Sequence, residues 1–247
     1  MTRLRNFWNK YPAVAFLLPI ATFLVMGSFE PKPEDGSWLK SLGIGYSHYP
    51  ILYTIKIVLT GLAIVVVWPK ISQLPLRPTI WGVVIGVVGG GLWIGICSLK
   101  MEGPILAALR LEWLQSSATR SAFNPLEQLA DHPALAYGFL AVRFVGLVLV
   151  IAIAEELFLR GLLVRYFVQD RWWELAFGGT NRLGIALSIV VPMLMHPGEV
   201  LAALVWFSLV TWLMLKTKSF GDCVLAHATT NLILGIYVVT SGHWELM

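Results

Sequence analysis

Two adjacent acids and an arginine interrupt a long apolar stretch of the sequence, which reads Ala-Glu-Glu-Leu-Phe-Leu-Arg-Gly at 154–161. Charges inside a membrane segment cost free energy, so they mark either paired structural groups or functional sites. Glu156 and Arg160 have the four-residue spacing of an ion pair on one helix face, whereas Glu155 points about 100° away and has leucine at its own i+4 position. We therefore predict a structural pair for Glu156 with Arg160, and a functional role for Glu155.

Three further polar residues accompany these acids. His227 and Asn231 lie one helical turn apart in the last apolar segment, so both can donate hydrogen bonds into one cavity. His196 precedes Pro197-Gly198 at the end of a short apolar run. A lone histidine on an apolar helix is usually a satisfied core residue, but the pairing with Asn231 favours function for His227. For His196, an ordinary loop histidine stays an open alternative.

Other hydrolytic signatures are absent from the sequence. It contains no His-Glu-x-x-His zinc motif, no Gly-x-Ser-x-Gly nucleophile motif and no Glu-x-x-His pair of the di-iron type. We expect no metal and no other cofactor.

Composition places the chain in the membrane. Of its 247 residues 57% are hydrophobic and only 13% charged, and the mean hydropathy is +0.74. The formal charge of +4 comes from short basic clusters between apolar runs, which is typical of cytoplasmic loop anchors and argues against a nucleic-acid partner. The two cysteines, Cys97 and Cys223, have no spacing that suggests a disulfide framework or a metal site.

The apolar runs predict an all-α, polytopic transmembrane helix bundle with about seven to eight membrane helices. We treat 1–247 as a single integral membrane domain with its catalytic core in about 137–240. Basic residues before the first helix predict a cytoplasmic N-terminus. The expected helices lie near 13–29, 50–68, 79–98, 137–168, 183–196, 199–215 and 220–240.

Two of these helices do not fit a plain bundle. The one at 137–168 would be about 48 Å long, so it must tilt, break or extend beyond the membrane. The one at 183–196 is too short to span, which places His196 at depth. Gly82, Gly86 and Gly90 repeat every four residues and predict close helix packing.

Further residues in apolar segments are harder to assign. Lys56 and Arg143 would either snorkel to the membrane surface or pair with the site carboxylates. Tryptophans such as Trp206 are interpreted as interfacial or packing residues.

The motif order Glu-Glu-x-x-x-Arg, then histidine, then His-x-x-x-Asn resembles the CAAX-protease and bacteriocin-processing family, which includes the type II CAAX prenyl endopeptidases. The resemblance covers about the last 115 residues of the chain. Tyr49-Pro50, Asn124-Pro125 and the C-terminal segment are also similar to a bacterial CAAX prenyl protease-related subgroup associated with exosortase sorting systems.

The resemblance implies an intramembrane glutamate protease. Glu155 would be the general base for water and His196 would hold that water. His227 and Asn231 would stabilise the oxyanion, with Glu156 and Arg160 as a supporting pair. One position departs from the family, because Pro192 stands four residues before His196 where phenylalanine is common. A proline there would bend the short helix and redirect His196.

The expected activity is therefore hydrolysis of a peptide bond near a membrane-anchored or lipid-modified tail. The expected partners are membrane lipids, such a tail as substrate, and components of an exosortase-type system, and the expected location is a bacterial inner membrane. Two other classes stay open. One is a non-proteolytic membrane partner or scaffold that binds peptide tails. The other is a transporter with a carboxylate relay, which the lack of internal repeats disfavours.

Overall fold

A computed structural model describes residues 7–33, 38–100, 102–114 and 122–246. Within these ranges the regular structure is entirely helical, which confirms the predicted fold class. The seven main helices are α1 (Pro12–Gly27), α2 (Tyr49–Ile71), α3 (Ile80–Ser98), α4 (Pro133–Tyr166), α5 (Arg182–Leu194), α6 (Val200–Thr217) and α7 (Phe220–Ser241).

Five of these helices, α2, α3, α4, α6 and α7, are long and apolar enough to cross a membrane. The shorter α1 and α5 have 16 and 13 residues. The chain is an integral membrane protein. Short helical turns fill the connections, at Trp38–Ser41, Tyr46–His48, Glu102–Ala108, Glu112–Leu114, Pro125–Gln128, Trp172–Glu174 and Trp244–Leu246.

Short polar side chains define where several helices begin. The hydroxyl of Thr79 accepts the backbone N–H of Trp81 at the start of α3, and the amide oxygen of Asn181 accepts that of Gly184 at the start of α5. The α2–α3 connection is tied to the start of α7, because Asp222 accepts the Thr79 N–H at 2.5 Å and its hydroxyl at 3.1 Å.

The long α4 contains two π-helical stretches, Gly146–Ile151 and Leu157–Leu163, on either side of the α-helical Ala152–Glu156. With 34 residues α4 exceeds the length needed to cross a hydrocarbon core of about 30 Å, as the sequence predicts. π-Helical stretches are rare and are frequent at functional sites. The two acids therefore occupy an α-helical turn held between two segments of different register.

Glycines bring α3 and α7 close together. A Cβ added at Gly82, Gly86 or Gly90 would lie within 3.1 Å of Leu225, Thr229 or Ile233 on α7. At Gly86 that Cβ would be 2.5 Å from the Thr229 Cβ and 2.7 Å from the Ala226 carbonyl oxygen. The predicted small-residue packing is confirmed, and it fixes the helix that carries His227.

Candidate active site

Glu156 is the centre of the buried polar cluster. Its Oε1 lies 3.0 Å from Arg160 Nη1 and 3.0 Å from His227 Nδ1, and the side chains of Glu156 and Arg160 are fully buried. The predicted Glu156–Arg160 pair is confirmed. The sequence did not indicate the second contact, in which one carboxylate oxygen accepts hydrogen bonds from both partners.

Glu155 lies on the other side of the same imidazole. Its Oε2 is 3.7 Å from His227 Nε2, and its side chain retains 10% of its surface exposure while Glu156 retains none. His227 therefore bridges the two acids, with Nδ1 toward Glu156 and Nε2 toward Glu155. The more accessible carboxylate is the one to which the sequence assigns a functional role.

Two buried polar atoms of this cluster lack a hydrogen-bond partner among the described residues. Glu156 Oε2 and Arg160 Nε are buried and have no hydrogen-bond partner within the described part of the chain. Buried polar atoms without partners are uncommon, and a native structure tolerates them where function or bound water requires it. The cluster is thus more polar than a structural ion pair needs to be.

Asn231 joins α7 to the first π-helical stretch of α4. Its Nδ2 donates to the carbonyl oxygen of Leu147 at 2.8 Å. One of the two amide hydrogens is therefore engaged with a backbone carbonyl. Asn231 lies on the same helix as His227, as predicted, and it also contacts the helix that carries both acids.

His196 follows the end of α5, in the turn before α6. Its Nδ1 lies 2.7 Å from the carbonyl oxygen of Pro192, and its ring packs against Trp93 and Phe207 with centroid distances of 5.6 and 5.4 Å. The guanidinium of Arg160 lies 5.4 Å from the same Phe207 ring. The predicted short helix is confirmed, and aromatic packing connects His196 to the acid cluster.

The described residues contain no group of three or more His, Cys, Asp or Glu side chains arranged to hold a metal ion. What the cluster does provide is a partly accessible carboxylate, a histidine between two acids, and an amide donor. That set can accept a proton from water and donate hydrogen bonds to a developing negative charge.

A family model described as type II CAAX prenyl endopeptidase Rce1-like matches residues 137–233. This segment is similar to the CAAX protease family. The matched segment contains all six residues singled out from the sequence, Glu155, Glu156, Arg160, His196, His227 and Asn231. Neither the curated proteins nor the solved structures gave a significant match.

The match supports a CAAX-type intramembrane endopeptidase in general terms. The resemblance based on motifs alone is thereby confirmed at the level of the family. The narrower subgroup linked to exosortase systems stays a prediction.

Lys56 and Arg143 form a separate cluster. Lys56 Nζ pairs with Glu30 at 2.6 Å, so of the two alternatives for Lys56, pairing with the site carboxylates is wrong. Arg143 Nη1 donates to the Phe123 carbonyl at 2.6 Å, and its guanidinium lies near the rings of Tyr49, Tyr53 and Trp244. These contacts tie α2 and α4 together and connect α4 to the C-terminal turn.

The sequence interpretation left Trp206 among the interfacial or packing residues and did not assign it to the site. Trp206 is 2% exposed, and its ring centroid lies 4.6 Å from that of His227. The sequence did contain a signal against an interfacial position. Trp206 is well inside the apolar run at 199–215, whereas belt tryptophans concentrate at helix ends.

Proposed function

We propose that this protein hydrolyses a peptide bond next to a membrane-anchored or lipid-modified segment, by direct attack of water. The observation that carries the proposal is the placement of His227 between Glu156 and Glu155, inside the segment that matches a CAAX endopeptidase family. The proposal includes no metal and no acyl-enzyme intermediate.

Glu155 is the general base in this proposal. Its carboxylate takes a proton from a water molecule while the water oxygen adds to the scissile carbonyl carbon. The resulting tetrahedral intermediate carries its negative charge on the former carbonyl oxygen. Glu155 then returns the proton to the leaving amine as the carbon–nitrogen bond breaks. Its 10% side-chain exposure supports this role, since the base must reach water.

His227 and Asn231 stabilise the oxyanion. In its imidazolium form His227 donates from Nδ1 to Glu156 and from Nε2 toward the reacting oxygen. Asn231 supplies the amide hydrogen that Leu147 does not use. One donor of this kind contributes about 10²- to 10³-fold to the rate when it is aimed at the transition-state charge.

Glu156 and Arg160 hold His227 in place. Arg160 pairs with Glu156, and Glu156 accepts a hydrogen bond from Nδ1–H, which leaves Nε2 directed at Glu155. A histidine with one ring nitrogen fixed by a carboxylate keeps one ring orientation. His196 is proposed to hold the attacking water, from the turn that Trp93 and Phe207 stabilise.

The location of the site supports the proposed substrate class. Glu155 and His227 lie on α4 and α7, two helices that can cross a membrane, which favours a scissile bond close to a membrane-bound segment. Membrane lipids surround the protein, and a sorting system of the exosortase type is a proposed context for the physiological substrate.

The test uses purified protein in liposomes with two probes, a farnesylated Cys-aliphatic-aliphatic-X peptide and an unmodified peptide with a transmembrane tail. Cleavage is followed by mass spectrometry for the parent, Glu155→Gln and His227→Gln, with and without a chelator. We expect cleavage that survives the chelator and falls by about 10²- to 10⁴-fold in Glu155→Gln.

The matched control is Glu174→Gln, which removes an exposed carboxylate paired with Arg171 outside the membrane helices. It is expected to cleave like the parent. Equal cleavage by the parent and Glu155→Gln would overturn the proposed mechanism. If the parent binds the probes tightly and cuts neither, the result would favour the scaffold alternative.

A further inference from the structure

The His227 imidazole packs against an indole from a neighbouring helix. Trp206 of α6 lies in T-shaped contact with His227, with a centroid distance of 4.6 Å and an interplanar angle of 66°. Both residues are at most 5% exposed. Trp206 is therefore part of the wall of the acid cluster and not of the lipid-facing surface.

The indole is itself fixed by hydrogen bonds. Trp206 Nε1 donates to Thr230 Oγ1 at 2.9 Å, and Thr230 Oγ1 donates to the Gly86 carbonyl at 2.9 Å. Thr230 lies three residues after His227, so the indole spans one turn of α7. This chain connects α6, α7 and α3, and its members are buried.

A glycine makes room for the indole. A Cβ at Gly89 would lie 2.5 Å from Trp206 Cδ1 and 2.6 Å from Trp206 Nε1, which is closer than atoms can approach without a shift. The position of Trp206 thus depends on a missing side chain on α3. By contrast, a Cβ at Gly91 would meet no atom within 4 Å.

The same aromatic layer reaches the second histidine. Trp206 packs against Phe207 at 4.7 Å and against Trp93 at 6.4 Å, and both of these rings also contact His196. One continuous set of rings therefore lies between His227 and His196. A displacement of Trp206 would therefore change the packing of both histidines.

We propose that Trp206 is a positioning residue that fixes the ring plane of His227, with Nδ1 on Glu156 and Nε2 toward Glu155. The torsion about the Cβ–Cγ bond of histidine is broad and roughly two-fold, so packing has to select one of the two ring orientations. A half-turn would exchange Nδ1 with a carbon atom and remove the hydrogen bond to Glu156. Thr230 and Gly89 act by holding the indole. The expected effect of Trp206 on rate rests on the proposed function, whereas its expected effect on ring orientation does not.

The first test reads the ring directly. The chain has five histidines, so ¹⁵N-histidine labelling in detergent micelles gives few signals, and His227→Gln identifies the one of interest. We expect a protonated Nδ1 and, in the parent, one set of ring signals shifted by the ring current of the indole. Trp206→Leu should lose the ring-current shift and give two sets of signals, and Trp206→Phe should retain one.

The second test separates positioning from folding by kinetics on the farnesylated probe. Trp206→Leu, Thr230→Val and Gly89→Ala are expected to lower kcat by about 10- to 100-fold, with KM changed less than about 3-fold. Thr230→Ser, in contrast to Thr230→Val, keeps the hydroxyl and should retain the parent kcat. Controls on the same helices are Gly91→Ala on α3 and Trp212→Leu on α6, since Trp212 is 44% exposed.

The outcomes distinguish the inference from the proposed function. If Trp206→Leu keeps one ring orientation and the parent kcat, Trp206 has no positioning role, even when Glu155→Gln is inactive. If Trp206→Leu does not fold, Gly89→Ala and Trp206→Phe decide by the same signals. A lower melting temperature with an unchanged His227 spectrum would make the residue merely structural. If Glu155→Gln is fully active, the proposed mechanism fails while the histidine spectra still test the ring orientation.

Discussion

Glu156 Oε1 and His227 Nδ1 lie 3.0 Å apart although 71 residues separate them in the sequence. The same oxygen is 3.0 Å from Arg160 Nη1, one helical turn further along α4. Glu156 thus connects a local ion pair with a long-range histidine contact. Its two contacts have different functions and can be separated by mutation.

Glu156→Gln is expected to lower both stability and activity. Arg160 would keep a fully buried charge with no carboxylate, which costs about 3–5 kcal/mol when one partner of a buried pair is removed. Thermal unfolding in detergent and kcat on the farnesylated probe measure the two effects. In Glu156→Gln/Arg160→Met the buried charge is gone, so stability should largely return while kcat stays low. Recovery of kcat in the double variant would show that Glu156 does not orient His227.

Gly86→Val tests the close approach of α3 to α7. The new side chain would overlap Thr229 and the Ala226 carbonyl, so we expect a loss of about 1–3 kcal/mol together with reduced activity. Gly91→Val introduces the same residue on the same helix where a Cβ meets nothing within 4 Å. Similar melting temperatures for the two variants would mean that this glycine contact does not position α7.

Lys56→Met is expected to destabilise the protein without changing the chemistry. It leaves Glu30, whose side chain is 18% exposed, without its cation, at a cost of about 3 kcal/mol. Adding Glu30→Gln should recover most of the lost melting temperature. The kcat of the folded single variant should stay within about 2-fold of the parent. A large drop in kcat at unchanged melting temperature would place Lys56 in the active site after all.

Glu102 gives a pH dependence outside the membrane helices. Its Oε1 accepts the Val200 N–H at 2.7 Å at the start of α6. Burial raises the pKa of the Glu102 carboxyl above its ordinary value of 4.5, and the backbone N–H groups of Val200 and Leu201 oppose this shift.

A carboxyl whose pKa is raised by folding favours the folded state at low pH and loses that contribution as pH rises through the folded-state pKa. Glu102→Gln should therefore gain stability relative to the parent as pH rises from 4 to 7. Glu112→Gln removes an exposed carboxylate in the same connection and should show no such trend. A difference between Glu102→Gln and the parent that is constant with pH, or that changes in the opposite direction, would contradict the assignment.

Much of the fold could be predicted because lipid imposes simple rules on the chain. The length of each apolar run determines whether a helix spans, so the long helix predicted at 137–168 is found as Pro133–Tyr166 and the short one at 183–196 as Arg182–Leu194. The π-helical stretches of α4 could not be predicted. An apolar run does not specify which carbonyl each backbone N–H binds. Here the Leu147 carbonyl also accepts a hydrogen bond from Asn231 on another helix.

The site was predictable where contacts are local. Spacing of four residues was enough to pair Glu156 with Arg160 and to place His227 beside Asn231 on one helix. The contact of His227 with Glu156 crosses from α7 to α4. The contact with Trp206 crosses from α7 to α6, where Gly89 of α3 makes room for the indole. A single sequence does not specify which faces meet, so these contacts emerged only from packing.

The most direct test of the central claim compares binding and single-turnover cleavage of the farnesylated peptide by the parent and Glu155→Gln in liposomes. If Glu155 is the base that activates water, both proteins should bind the peptide with Kd values within about 3-fold, and the cleavage rate of Glu155→Gln should be lower by about 10²- to 10⁴-fold. Cleavage by Glu155→Gln at the parent rate would contradict the account.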